Sequence, residues 1–245
     1  MQTSHALILV AGEGKRLFPF TKTNPKCFVT VNNVTILENA LNNFLAAGVT
    51  KTTILIGHLS QLIKDRIGLN YKGMNIKYIE NKIYDSTNSM YSLYLGLQDL
   101  KEPTWVLEGD VFFKKSILEK TTKESFSWFA DSSIRHLDGA YLKSNKEGRV
   151  VSLEIVRDIR NIKENYYKSI GLLHLTIEGI SLFKKWLELG IEQQKTNVYY
   201  DLIVAEHINE IFIEIIDVKD CKWYEIDTFD DLENARALFT LMNDV

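Results

Sequence analysis

The stretch Leu9-Val10-Ala11-Gly12-Glu13-Gly14-Lys15-Arg16-Leu17 gives the strongest indication of the fold class. An apolar run over residues 6–11 is predicted to be a buried strand, and a loop follows it over residues 12–25, which begins with two glycines and the cations Lys15 and Arg16. Glycines let backbone N–H groups approach an anion, and the cations beside them add charge. Such a strand and loop indicate a phosphate-binding edge of an α/β sheet.

Two common phosphate-binding loops do not fit this stretch. The dinucleotide fingerprint needs a third glycine where this chain has Leu17, and the P-loop needs Gly-Lys-Ser/Thr at a spacing that is absent. The rest of the loop adds two rigid residues and a third cation: Pro19, Pro25 and Lys26. Lys15, Arg16 and Lys26 could converge on one polyphosphate, with Lys26 facing solvent. A solvated basic loop would explain the charges but not the glycines and prolines.

The alternation of short apolar runs and helical patterns over the first hundred residues is typical of βαβ units in a largely parallel sheet. Strands are predicted at residues 6–11, 52–57, 75–79, 104–108, 125–130, 139–143, 149–156, 168–175, 211–218 and 222–226. Helices are predicted at residues 36–48, 60–68 with Ser60 as cap, 89–100, 176–190, 199–209 and 229–243. We therefore expect one mixed α/β domain over residues 1–245, with a nucleotide-binding half over about residues 1–110 and an acceptor-binding half over about residues 111–245.

Composition excludes several classes of protein. The 245 residues are 45% hydrophobic and 25% charged, with a net charge of -3, so no basic excess predicts a nucleic-acid partner. No apolar stretch near the start approaches the roughly 20 residues of a membrane span, and no signal-peptide core precedes the first strand. We expect a cytoplasmic protein without a membrane partner. Cys27 and Cys221 have no Cys or His neighbours, so they are predicted to be reduced, buried thiols.

The loop and three later motifs resemble the nucleotidyltransferases that make sugar-nucleotides, CDP-choline and related activated head groups. The motifs that narrow the resemblance are Asn88-Ser89-Met90-Tyr91-Ser92-Leu93-Tyr94-Leu95, Glu108-Gly109-Asp110 and Trp223-Tyr224-Glu225-Ile226-Asp227. They are similar to small cytidylyltransferases acting on phosphocholine or 2-aminoethylphosphonate. The resemblance covers nearly the whole chain and implies a Rossmann-like, GT-A-like fold. The longer loops of the hexose-phosphate enzymes and a C-terminal left-handed β-helix are absent from the sequence, so we expect no added acyltransferase domain.

The resemblance also implies a set of nucleotide contacts. These are expected at Ala11, Gly12, Gly14, Lys15, Thr87, Asn88 and Ser89. Enzymes for sugars often carry a Gly-Thr pair in the base-recognition loop, where this chain has Thr87-Asn88-Ser89. Arg16 and Lys26 are expected to hold the triphosphate of CTP. Lys168 resembles the lysine that contacts the acceptor's phosphate, and a solvated lysine is the alternative.

Nucleotidyl transfer requires in-line positioning and charge neutralisation, which two carboxylates and a divalent metal can supply. Asp110 follows a predicted buried strand, at the edge where open α/β sheets bind ligands, and Asp227 ends another strand. The corresponding pair in the family binds metal, and oxygen ligands suit Mg²⁺. Each aspartate could instead be a surface acid or a helix cap, since Asp227 precedes Thr228 and the final helix.

The predicted reaction is CMP transfer from CTP to a small phosphonylated or phosphorylated amine, with release of pyrophosphate. A primary ammonium favours carboxylates, and a quaternary ammonium favours aromatic faces. Candidate carboxylates are Glu108, Asp131 and Asp138, and candidate aromatic walls are Trp128, Phe129, Tyr141 and Trp223. Because Asp138-Gly139 and the 222–227 motif resemble the phosphonate-activating branch, 2-aminoethylphosphonate is favoured over phosphocholine, with Glu108 or Asp138 receiving the amine.

Two rival functions stay open at this point. One is a sugar-1-phosphate nucleotidyltransferase using UTP or dTTP, and the other is a regulatory nucleotide-binding protein without turnover. Both aspartates and all three loop cations are present, which argues against the regulatory protein. None of the five histidines sits in a triad or metal spacing. The sequence leaves a homo-oligomer open.

Overall fold

The structure, a computed structural model, describes residues 3–240. Its strands are β1 His5–Val10, β2 Thr30–Val31, β3 Val34–Thr35, β4 Lys51–Ile56, β5 Asn70–Tyr71, β6 Met74–Glu80, β7 Thr104–Glu108, β8 Val111–Phe113, β9 Phe126–Asp131, β10 Gly139–Ser144, β11 Val150–Val156, β12 Tyr166–Leu175, β13 Ile213–Asp217 and β14 Trp223–Glu225. Its α-helices are α1 Ile36–Ala46, α2 Ser60–Ile67, α3 Ser89–Leu97, α4 Ile177–Glu192, α5 Tyr200–His207 and α6 Phe229–Leu238.

A mixed, mainly parallel sheet forms the centre of the molecule, which confirms the predicted fold class. Its strand order is β11-β10-β12-β7-β1-β4-β6-β5, and β9 pairs with both β12 and β13. Strand β1 lies parallel to β4 and to β7, whereas β12 runs antiparallel to β7. Ala6, Leu7 and Ile8 are fully buried in β1, as expected for a parallel strand covered on both faces.

Helices cover the sheet on both faces and form two hydrophobic cores. On one face, α1 and α2 pack Leu37, Phe44 and Ile63 against β1 and β4. On the other face, α3, α4 and α5 surround Trp128 and Trp186. Because both faces are covered, the carboxyl ends of β1 and β7 are the edge of the sheet that is left for a ligand.

A short antiparallel pair, β8 with β14, brings two distant parts of the chain to that edge. Its register sets Val111 opposite Glu225, and the N–H of Ile226 donates to the carbonyl of Asp110 at 2.9 Å. The three-residue strand β8 is missing from the sequence prediction, because so short an apolar segment has no period to detect. Pairing of β8 with β14 carries Asp110 to the vicinity of Asp227.

Helix starts show where local signals were interpreted wrongly. Ser60 does not cap α2: the cap is Leu59, in the left-handed region at φ 51°, and Ser60 donates its hydroxyl to Glu80 at 3.2 Å. Helix α3 begins at Ser89 as predicted, and Asn88 is its cap. Thr228, and not Asp227, caps α6. That helix ends at Leu238, and residues 241–243 of the predicted helix lie outside the described residues.

Two further expectations can be compared with the structure. Cys27 is buried, but Cys221 is partly exposed, and both thiols are free. Within residues 3–240 no helix combines the length and the apolar character that crossing a bilayer requires. The cysteine interpretation is therefore right for the free thiols and wrong for the burial of Cys221.

Candidate active site

A cavity of about 480 Å³ opens at the carboxyl ends of β1 and β7, between the glycine-rich loop and the start of α3. Most of the predicted site residues line it, namely Ala11, Gly12, Gly14, Lys15, Arg16, Lys26, Thr87, Asn88, Ser89, Glu108, Asp110 and Asp227. We call it the nucleotide cavity. The sequence interpretation and the fold thus bring the same residues together.

The glycine-rich loop folds over Lys26. Gly14 has φ 63°, and a Cβ atom on it would lie 2.9 Å from the Cβ of Lys26, so a side chain there would be strained and would collide. Thr21 donates its hydroxyl to the carbonyl of Gly14 at 2.8 Å, and Leu17 is fully buried beneath the loop. These contacts hold the loop against the edge of the sheet.

Lys26 lies between the two predicted metal-binding carboxylates. Its Nζ is 2.7 Å from Asp110 Oδ2 and 2.6 Å from Asp227 Oδ1. Burial alone would lower the pKa of Lys26, but the two carboxylates outweigh it and raise that pKa, so the lysine is charged. The expectation of a solvent-facing lysine is wrong, since only 16% of the side chain is exposed.

The other two loop cations also have acidic partners. Arg16 Nη2 lies 2.7 Å from Asp227 Oδ2, and the exposed Lys15 lies 2.6 Å from Glu13. All three cations line the nucleotide cavity. The carboxylate of Asp227 is therefore bound by Arg16 and Lys26, which rules out its role as the cap of the final helix.

The carboxylates in this region fit a divalent cation. Asp110 Oδ1 is buried and has no hydrogen-bond partner within residues 3–240, so Asp110 has an oxygen to spare for a ligand. Oxygen atoms of Glu108, Asp110 and Glu225 also lie within 4.8 Å of one another. All of these donors are oxygens, the type that Mg²⁺ prefers. Glu108 and Glu225 thus add two carboxylates near Asp110 to the predicted pair of Asp110 and Asp227.

Side chains at the other end of the nucleotide cavity hold the 83–89 loop in place. Asn81 is 1% exposed and donates to Thr87 Oγ1 at 2.9 Å and to Ser92 Oγ at 3.0 Å. The Oδ1 of Asn81 accepts the N–H of Ile83 at 3.1 Å. Sequence reasoning missed Asn81, Tyr84 and Asp85, which also line the cavity, because single residues after a strand carry no pattern of their own.

A second, smaller cavity of about 100 Å³ adjoins the first and contains Lys168. Lys168 is 2% exposed, and its Nζ lies 2.6 Å from Glu225 Oε2 and 3.0 Å from the carbonyl of Ser169. Burial alone would lower the pKa of Lys168, but Glu225 raises it. The alternative of a solvated lysine is wrong, and we call this space the acceptor cavity.

Acidic groups dominate the rest of the acceptor cavity. Asp201 is 6% exposed, its Oδ1 has no partner in the described part of the chain, and burial raises its pKa to about 7. Burial, together with the carboxylates of Asp201 and Asp110, raises the pKa of Glu108 well above its usual range. Buried carboxylates without cationic partners are costly, so a cation arriving in this cavity would be bound strongly. Asp201 was not among the predicted residues.

Of the other residues predicted to contact the acceptor, one lines the acceptor cavity and the rest are buried in the fold. Asp138 lines the acceptor cavity, is half-exposed, and pairs with Arg157 at 3.1 Å. Asp131 is buried and accepts bonds from Trp223 Nε1 and Ser133, so it supports the fold instead. The candidate aromatic walls Trp128, Phe129, Tyr141 and Trp223 are all buried in the core. The aromatic residue that does line both cavities is Tyr199.

A mixed sheet carries a glycine-rich loop, three cations and a carboxylate pair at its carboxyl edge, an arrangement suited to a polyphosphate. The family profile described as Nucleotidyl transferase matches residues 5–131, just over half of the chain. The chain therefore belongs to the nucleotidyltransferase family of enzymes. This result confirms the family resemblance.

Individual relatives narrow the comparison. The CMP-5'-(3-aminopropyl)phosphonate synthase of Streptomyces rubellomurinus is 26% identical over 96% of this chain, which spans only 38% of that synthase. The 2-aminoethylphosphonate cytidylyltransferase of Lancefieldella rimae is 23% identical over 94% of this chain and 91% of its own length. The structure of CTP:phosphocholine cytidylyltransferase from Streptococcus pneumoniae has a TM-score of 0.76 and 18% identity, covering 97% of this chain and 99% of that one. At that identity, the structural likeness shows a shared fold.

Proposed function

We propose that this chain transfers CMP from CTP to a small phosphonylated or phosphorylated amine and releases pyrophosphate, with 2-aminoethylphosphonate as the favoured acceptor. The observation that carries the proposal is the acceptor cavity. It contains one buried lysine, suited to the acceptor's phosphonate, and buried carboxylates suited to its amine. The relatives named as a CMP-5'-(3-aminopropyl)phosphonate synthase and a 2-aminoethylphosphonate cytidylyltransferase support the same nucleotide and acceptor class.

In this proposal the nucleotide cavity holds CTP. Backbone N–H groups of Gly12 and Gly14 face the triphosphate, and Lys15, Arg16 and Lys26 neutralise its charge. Thr87, Asn88 and Ser89 face the base. The lining of the cavity supports these roles, with the loop cations at one end and the 83–89 loop at the other.

The acceptor's own oxygen is the nucleophile. A phosphonate oxygen is already anionic near neutral pH, so the reaction needs no general base. Lys168 holds the acceptor's anionic end, and Glu108 and Asp201 receive the amine, with Asp138 beside them at the mouth of the cavity. Asp110 and Asp227 would hold Mg²⁺, which when bound neutralises charge on the phosphates. No covalent intermediate with the enzyme is formed.

The choice between a primary and a quaternary amine rests on what lines the acceptor cavity. A primary ammonium donates up to three hydrogen bonds, and the free oxygen of Asp201 can accept one. A quaternary ammonium would need several aromatic faces, but the four predicted aromatic walls are buried in the core, and Tyr199 is the single aromatic side chain of the described residues that lines the acceptor cavity. This difference favours 2-aminoethylphosphonate over phosphocholine.

A pyrophosphate-release assay with each nucleoside triphosphate and a panel of acceptors tests the proposal. With CTP and Mg²⁺, kcat/KM for 2-aminoethylphosphonate should exceed that for phosphocholine by about tenfold or more, equivalent to about 1.4 kcal/mol of differential transition-state binding. A preference for phosphocholine would overturn the acceptor assignment alone. A preference for UTP or dTTP with a sugar 1-phosphate would overturn the nucleotide assignment, and full activity in EDTA would overturn the role of the metal.

A further inference from the structure

The start of α3 meets the segment that leads into α5 between the nucleotide cavity and the acceptor cavity, and hydrogen bonds join the two. The N–H of Asn88, the cap of α3, donates to the carbonyl of Thr196 at 3.0 Å. In the opposite direction, the N–H of Tyr200, the first residue of α5, donates to Ser89 Oγ at 3.2 Å. The first N–H groups of a helix have no partner inside that helix, so these two bonds fasten the start of α3 to the first residue of α5 and to the segment before it.

Each end of this connection belongs to a different cavity. Ser89 lines the nucleotide cavity, and a hydroxyl that accepts one bond still has a hydrogen to donate. Tyr200 is flanked by Tyr199 and Asp201, which both line the acceptor cavity. Tyr199, the cap residue of α5, makes no capping bond with its side chain, so Ser89 provides a cap from another helix. The position of Asp201 therefore depends on a side chain that faces the nucleotide.

We propose that Ser89 couples nucleotide binding to acceptor binding, as a positioning residue that fixes the first turn of α5 and thereby Asp201. The inference rests on the proposed function, since CTP and an amine-bearing phosphonate are its two ligands. A nucleotide that immobilises Ser89 immobilises the start of α5 with it. The acceptor then binds to an arrangement that is already formed, and by reciprocity the acceptor strengthens nucleotide binding by the same factor.

Calorimetric binding without turnover tests this coupling. The dissociation constant of 2-aminoethylphosphonate is measured with Mg²⁺, with and without a CTP analogue whose α,β-bridging oxygen is a methylene group. In the unmodified protein the analogue should tighten acceptor binding about fivefold or more, within the usual range of coupling between sites. Ser89→Ala should bring this ratio to about one, while Ser89→Thr, which keeps the hydroxyl, should retain it.

Ser92→Ala is the matched control. Ser92 lies one turn further along α3 and lines the same cavity, but its hydroxyl accepts from Asn81 and not from α5. This variant should weaken binding of the CTP analogue and leave the ratio unchanged. An unchanged ratio in Ser89→Ala, or a ratio lost equally in Ser89→Thr, would overturn the inference.

A second measurement does not depend on any variant. Hydrogen exchange of the unmodified protein should show that the CTP analogue alone slows exchange of the Tyr200 amide, because the bond to Ser89 becomes more persistent. Unchanged exchange with the analogue bound would contradict the coupling. Failure of the proposed function has a different signature, since the analogue or the phosphonate would then fail to bind in either state.

Discussion

At the residue scale, Lys26 occupies a position for which a metal ion also competes. Its ammonium contacts one oxygen each of Asp110 and Asp227, the two carboxylates assigned to Mg²⁺. A metal ion on the free Oδ1 of Asp110 would lie close to this ammonium, and two cations held by the same pair of carboxylates repel each other. In the absence of nucleotide, the lysine should therefore weaken metal binding, although it helps to hold the triphosphate once CTP is present.

Lys26→Met tests this competition. Without metal, the variant should lose about 1–3 kcal/mol of unfolding free energy, because two partly buried carboxylates are left facing each other. Mg²⁺ alone should then raise its melting temperature more than that of the unmodified protein. Lys22→Met, which removes an exposed lysine from the same loop, should change neither quantity. Thermal unfolding with and without Mg²⁺ measures both, and equal stabilisation of all three proteins would disprove the competition.

Asp201 should make acceptor binding depend on pH. Burial raises its pKa from 3.8 to about 7, so below that pH the carboxyl is neutral and cannot form an ion pair with the amine. The KM for 2-aminoethylphosphonate should rise as the pH falls from about 8 to about 6. Asp201→Asn should have a high KM with less dependence on pH. If the variant keeps the full dependence, the titrating group is the acceptor's own phosphonate.

The raised pKa of Asp201 also makes the stability of the folded protein depend on pH, but with the opposite sign to acceptor binding. Between the unfolded value of 3.8 and the folded value of about 7, the folded state holds more protons on Asp201 than the unfolded state does. The contribution of Asp201 to the unfolding free energy therefore falls as the pH rises through that window. Asp201→Asn should reduce this slope in urea unfolding of the protein without ligands, and an unchanged slope would show that Asp201 titrates normally.

At the scale of elements, strand β10 begins at a glycine that leaves room for the second lysine. Gly139 has φ 118°, and a Cβ atom on it would lie 2.9 Å from Lys168 Nζ. A Cβ at this position would require the end of the Lys168 side chain to shift from its present contact with Glu225. The sequence showed Gly139 as the start of a strand, but the lysine that lies against it is 29 positions away (168 − 139).

Gly139→Ala should therefore impair acceptor binding specifically. Moving the Lys168 ammonium should raise KM for 2-aminoethylphosphonate by about tenfold, equivalent to about 1.4 kcal/mol, with little change in KM for CTP. Gly148→Ala is the control, because Gly148 also has a positive φ of 79° but has no atom within 4 Å of a built Cβ. Steady-state kinetics on both variants gives the comparison. An equal rise in both KM values for Gly139→Ala would indicate general damage instead.

How much the sequence could predict depends on how local the determining interactions are. The period of apolar residues predicted β7 over its full length and the starts of α1, α3 and α6, because these depend on neighbouring residues. The pairing of β8 with β14 joins residues more than a hundred positions apart, and no local pattern reports it. The partners of Lys26 and Lys168 were missed for the same reason, although both lysines were identified.

At the scale of the whole molecule, the two cavities form one acidic cleft at the carboxyl edge of the sheet. Glu108, Asp110 and Asp227 line both cavities, and Arg16 and Tyr199 do so as well. In the proposed function, these shared carboxylates lie where the charges of metal, nucleotide and acceptor meet. The chain as a whole carries a net charge of only -3, so this local acidity is a property of the cleft.

The proposed function has the cleft bind metal and nucleotide together, so Mg²⁺ and CTP should stabilise the folded chain together. At about 100 times its dissociation constant, Mg²⁺-CTP should add about 2.7 kcal/mol to the unfolding free energy, a rise of about 5–10 °C in Tm for a chain of this size. CTP in EDTA should give a smaller rise, because charge among the triphosphate and the carboxylates is then left unbalanced. Asp110→Asn should lose the increment due to Mg²⁺ while keeping a response to CTP. Thermal unfolding across these conditions measures each rise in Tm. An equal rise with and without Mg²⁺ in the unmodified protein would show that nucleotide binding does not involve a metal ion on the carboxylate pair.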